Sequence, residues 1–115
     1  MNNTSRIQEL LRRHRFTFGS EKEFQDQFEQ MLQTDGIEYK REFKLSSTDR
    51  PDFMVGATAI DLKVRGSIQS HLRQMKRYAD NQFVEATVLV VTRQFNAPSS
   101  LSNKPFCCIK ATIGL

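Results

Sequence analysis

Residues 86–92, Ala-Thr-Val-Leu-Val-Val-Thr, form a nearly unbroken β-branched run. A strand with one wet face alternates apolar and polar residues, so a run without that alternation has to be covered on both faces. Such a segment belongs inside a sheet with helices packed against it. The chain has 115 residues, about the size of one domain and enough for a modest core. Nine phenylalanines and no tryptophan, with ordinary apolar and charged fractions, argue for a folded core rather than disorder.

The rest of the chain supplies the elements that this strand needs. Ile7, Leu10, Leu11 and His14 recur at helical spacing behind Thr4 or Ser5 as cap, predicting a short basic amphipathic helix over about residues 4–14. That helix either packs on the domain or makes an oligomer contact. Phe16-Thr17-Phe18-Gly19 breaks the pattern, and Ser20 with Glu23 reads as a capping box. Phe24, Phe28, Met31 and Leu32 form the buried stripe of the helix that follows, and Asp35-Gly36 ends it. Three strands are expected next, over 37–45, 52–55 and 58–64, with Gly56-Ala57 as the tight turn of an antiparallel meander. After Gly66-Ser67, the spacing of Ile68, Leu72, Met75 and Tyr78 or Ala79 predicts a helix of about four turns with a basic outer face. Arg93 to Lys104 reads as an exposed loop, and Phe106 to Ile113 as an edge strand. The expected fold is thus α/β of the α+β kind, a mixed sheet flanked by helices. Residues 1–19 form a basic helix and linker, and 20–115 the main domain.

The chemistry concentrates at the third strand. Successive side chains of a strand point to opposite faces, so Asp61 and Lys63 share one face while Ile60, Leu62 and Val64 take the other. Pro51-Asp52, paired as a hairpin, brings a second carboxylate to the same end. Two carboxylates beside one lysine suit a divalent metal and proton handling at a phosphodiester. The plainer readings are a same-face ion pair, worth little at a surface, and an Asp52 that caps a local turn. Net charge is +4, and no acidic residue lies between Val64 and Ala79, where Arg65, Arg73, Lys76 and Arg77 fall. That stretch reads either as a polyanion-binding face or as the solvated side of a helix. Cys107 and Cys108 are adjacent, which disfavours an ordinary disulfide. His14 and His71 lack metal-spaced partners, and Tyr39 and Tyr78 read as core. The opening residues lack the apolar core of a signal peptide and no apolar run reaches membrane-spanning length, predicting a cytoplasmic setting.

The order of a helical Glu, Arg50-Pro51-Asp52, Ile60-Asp61-Leu62-Lys63 and a helix bearing Gln74 and basic residues resembles the PD-(D/E)XK nuclease superfamily over residues 20–92. In size the chain looks most like the small stand-alone VRR-NUC and Holliday-junction-resolvase-like members, and 66–79 resembles a segment common in phage and bacterial ones. The resemblance implies a restriction-endonuclease-like αβββαβ core. It implies that Asp52, Asp61, the Leu62 main-chain carbonyl and an acidic residue of the first core helix hold Mg²⁺ or Mn²⁺. Glu21 is chosen for the last role, because Glu21 and Gln25 give the Glu-x-x-x-Gln spacing of VRR-NUC members. Glu23 is assigned to the cap, and Glu29 lies two turns further on. Lys63 would sit beside the scissile phosphate, offsetting developing charge or transferring a proton. Gln74 would face the phosphate, with Arg65, Arg73, Lys76 and Arg77 as DNA contacts. The implied activity is a magnesium-dependent deoxyribonuclease acting on branched or structured DNA as a homodimer. The rivals are a catalytically silent nucleic-acid-binding module and a sequence-specific restriction-type endonuclease using the 93–104 loop.

Overall fold

The computed structural model describes residues 2–114. Helix α1, Asn3–Arg13, is followed by the two-residue strand β1, Arg15–Phe16, and by α2, Glu21–Thr34. Strands β2 (Lys40–Arg41), β3 (Phe53–Val55) and β4 (Thr58–Lys63) lead to α3, Ile68–Ala79, and to β5, Ala86–Val91. The chain then adds β6 (Ser100–Leu101), β7 (Lys104–Lys110) and β8 (Thr112–Ile113). From α2 to β5 the order is the expected αβββαβ.

Six strands form one mixed sheet in the order β2-β3-β4-β5-β7-β6. The meander β2-β3-β4 is antiparallel, and β5 lies parallel to both β4 and β7, as its apolar run requires. On one face Ile60, Leu62, Val88 and Val90 meet Phe24, Phe28 and Leu32 of α2 together with Ile7 and Leu11 of α1. On the other face Met54, Ala59, Leu89 and Val91 meet Met75 and Tyr78 of α3. The α1 stripe is therefore built into the same core as α2, which leaves only the polar side of α1 for any oligomer contact. No helix among the described residues is long and apolar enough to cross a membrane.

Four expectations are corrected at the element ends. Helix α1 is capped by Asn2, whose side chain accepts from Ser5 N, rather than by Thr4 or Ser5. The first strand of the meander shrinks to two residues, because Glu42 adopts a left-handed φ of 51° and bends the chain away after its N–H bonds the Asp52 carbonyl. The 93–104 segment is not all loop: Ser102 and Asn103, both with positive φ, make the two-residue turn of a β6–β7 hairpin. β6 covers only Lys104 and Pro105 of β7, so Phe106 to Lys110 remain the expected edge of the sheet beside β5, whereas the last stretch, β8, leaves the sheet to pair in parallel with β1.

Candidate functional site

The hairpin turn at Gly56, with its left-handed φ of 57°, fixes the register in which Val55 faces Thr58 and Phe53 faces Ile60. One step further along the same ladder, Asp52 comes opposite Asp61. The two aspartates interlock: Asp52 N donates to Asp61 Oδ1 at 2.9 Å, and Leu62 N donates to Asp52 Oδ2 at 2.8 Å. The second Asp61 oxygen accepts the Tyr78 hydroxyl at 3.1 Å, with Lys63 Nζ 3.9 Å away. Asp61 is only 1% exposed, whereas Asp52 is half-buried.

The same ladder explains the proline. Leu62 N–H points toward β3, and in an antiparallel pair the carbonyl of that residue points to the same side, where residue 51 would supply its donor. Residue 51 is proline and has no N–H to give. The Leu62 carbonyl therefore lacks its ladder partner beside the two carboxylates.

Burial dominates the electrostatics of this cluster. It raises the Asp61 carboxyl, and together with the Asp61 charge it pushes Asp52 up to about 7. Both shifts act against two negative charges side by side, and a cation bound between the carboxylates would oppose them. Burial, then the Asp61 charge, also raises the Tyr78 phenol, which stays a donor. Beside the pair opens a cleft of about 930 Å³. Its floor is Lys63 to Gly66, one bank is Gly19, Ser20 and Glu21, and the other is the α3 face bearing Ser70, Arg73, Gln74 and Arg77. Those four follow helical spacing, which is why they line up. Arg65 lies on the floor.

Glu21 is the first residue of α2, and its Oε1 accepts Val64 N at 3.2 Å, tying the helix start to the end of β4. The competing acids lie elsewhere. Glu23 N donates to Ser20 Oγ at 3.1 Å in the cap, while Glu29 accepts from Arg41 Nη1 at 2.9 Å and from the Tyr39 hydroxyl at 2.8 Å. Gln25 also turns to Arg41, at 3.4 Å, and does not line the cleft. Lys76 is not among the residues brought to the cleft: it lies off the lining face, 60% exposed, and pairs with Asp80 at 3.2 Å.

One polar partner in this region, Tyr78, was not anticipated, while His71 reads from the sequence as a helix-face residue that could lie near phosphate. Tyr78 reads as an ordinary member of the α3 stripe, and only its hydroxyl, opposite a strand bearing a carboxylate, hints at a polar partner. His71 is largely buried but lines the cleft, and its ring packs on Gly66, where an added Cβ would come within 2.8 Å of it. Burial, then Lys63, lowers its pKa.

Among the described residues no three His, Cys, Asp or Glu side chains form a ready-made metal cage. The available donors are Asp52, Asp61 and the Leu62 carbonyl. That set of hard oxygens, with one buried and one half-buried carboxylate near one ammonium, suits Mg²⁺, which commonly takes one or two carboxylates and keeps several waters. Glu21 faces the same cleft from the opposite bank and is tied to a main-chain amide rather than to the aspartates. The fold and this cleft define an α+β protein with a carboxylate pair under an arginine-bearing groove. Comparisons with known protein families, with curated proteins and with solved structures find no match for the chain.

Proposed function

We propose that the chain is a PD-(D/E)XK-type nuclease that hydrolyses phosphodiester bonds in DNA with Mg²⁺ or Mn²⁺. The observation that carries this reading is the interlocked pair Asp52 and Asp61, with Lys63 3.9 Å from Asp61 and itself lining a cleft that also bears Arg65, Arg73 and Arg77. Bound between Asp52, Asp61 and the Leu62 carbonyl, the ion would polarise the phosphate and lower the pKa of an attacking water. The chain's own residues do the rest. Tyr78 and the Asp52 amide hold the Asp61 carboxylate in one orientation, so no reorganisation is needed when charge develops. The Lys63 ammonium offsets negative charge on the phosphate, a role that needs no special pKa. Glu21 assists from the opposite bank, and Gln74 and the three arginines hold the phosphate chain.

A branched or structured DNA substrate, a homodimer placing two clefts on one junction, and a cytoplasmic setting belong to the same proposal. The test is incubation with single-stranded, linear, flap and four-way DNA in Mg²⁺ or Mn²⁺. Cleavage by the parent and its loss in Asp61→Ala and Lys63→Ala are expected. Binding without cleavage under either metal would reject the enzyme reading.

One observation favours that second reading, a silent nucleic-acid-binding module. Both Asp61 oxygens already accept hydrogen bonds from the protein, so the pair is partly satisfied without an ion. Against it, a module that only binds has no use for a pair of carboxylates, one of them buried, that repel the ligand.

A further inference from the structure

The loop between β2 and β3 contains a second hollow, of about 290 Å³, walled by Lys44, Ser46, Ser47, Thr48, Asp49 and Arg50. Its shape is fixed by its own hydrogen bonds. Leu45 N donates to the Asp49 carbonyl at 2.9 Å, and the Ser46 hydroxyl accepts Thr48 N at 3.2 Å and Asp49 N at 3.0 Å. Phe43 and Leu45 pack against the α3-side core and Pro51 is buried, so both ends of the loop are anchored. Lys44 and Arg50 are exposed, and neither has an ion-pair partner among the described residues.

The acid in this hollow is already neutralised. Asp49 accepts Arg77 Nε at 3.0 Å, and Arg77 is a lining residue of the cleft. One ion pair thus forms the ridge between cleft and hollow, and Arg50 stands two residues before Asp52 in the chain. Two free cations and exposed hydroxyls in a pre-shaped polar hollow match the chemistry of a phosphodiester oxygen. Every residue that walls the hollow is polar or charged, which disfavours an apolar peptide or a base.

We propose that the 44–50 loop is an outlying phosphate-binding site, gripping the nucleic-acid backbone where it leaves the cleft over Arg77. This rests on the reading of the cleft as a nucleic-acid site, and concerns grip rather than cleavage. The two are separated by measuring binding in a chain disabled for chemistry. Fluorescence anisotropy of a labelled single-stranded 20-mer with Asp61→Asn is compared with Asp61→Asn carrying Lys44→Ala and Arg50→Ala, across a salt series. Removing two phosphate contacts should weaken binding about tenfold or more at low salt and reduce the slope of log affinity against log salt by about 1.4. Arg12→Ala with Arg13→Ala, an equal loss of charge on α1, should leave that slope unchanged. An unchanged slope in the loop variant, an equal fall in the α1 control, or no binding by the parent background would each overturn the proposal. Adding Ser47→Asp to the Asp61→Asn background reads the same site by repulsion, and unaltered binding there would also count against it. Cleavage need not occur for any of these outcomes to decide it.

Discussion

At the level of single residues, the molecule keeps a destabilising arrangement at its centre. Asp52 is raised from the ordinary 3.8 to about 7, first by burial and then by the Asp61 charge. The folded state therefore holds a proton that the unfolded chain gives up between those values, and stability declines as pH rises across that window. The metal-free protein should lose on the order of 2–4 kcal/mol from pH 4 to pH 7, measured by urea denaturation, and Asp52→Asn should flatten that decline. Mg²⁺ should stabilise the parent increasingly toward pH 8, since binding needs both carboxylates ionised. Tyr78 offers a second check. Tyr78→Phe leaves an Asp61 oxygen buried without its donor, and should cost about 1–3 kcal/mol in the same denaturation assay.

At the level of elements, turns decide where functional groups point. Gly66 sits at a left-handed φ of 103° with the His71 ring against it, so Gly66→Ala should destabilise by about 2 kcal/mol. The same variant should lower kcat in the DNA cleavage assay, by moving the floor segment that bears Lys63. Pro51→Ala would return an N–H opposite the Leu62 carbonyl. The fold should survive, while Mg²⁺ affinity read by calorimetry should fall several-fold. The elements carrying these groups were legible because each has a local cause: the period-2 pattern of 58–64, the Ser20 cap and the α3 stripe all depend on neighbours in sequence. Asp52, Asp61, Lys63, Gln74 and three of the four expected basic contacts come together at one end of the sheet for that reason. The misses have the opposite origin. The Ser102-Asn103 turn lacks the glycine that usually announces such a hairpin, and the β1–β8 pairing joins segments almost a hundred residues apart. Lys76 could be separated from Arg73 and Arg77 only by the rotation of α3 against β5, a tertiary fact.

At the scale of the whole molecule, charge is distributed unevenly about the cleft. Arg73 and Arg77 lie four residues apart on the exposed side of α3, so Arg73→Ala and Arg77→Ala should each raise KM for DNA severalfold with little change in kcat. Each should also reduce the salt slope of binding by about 0.7–0.9, as titrations at several ionic strengths would reveal. Arg77→Ala should in addition release Asp49, and so weaken binding more than Arg73→Ala does.

The two banks differ in kind: a glutamate tethered to the Val64 amide on one side, arginines on the other. An approaching polyanion would feel a lateral field before touching either wall, drawn to the helical bank and repelled from its opposite. Encounters would then begin already oriented, and the rate of capture, more than the lifetime of the captured state, would be where dilute buffer makes itself felt.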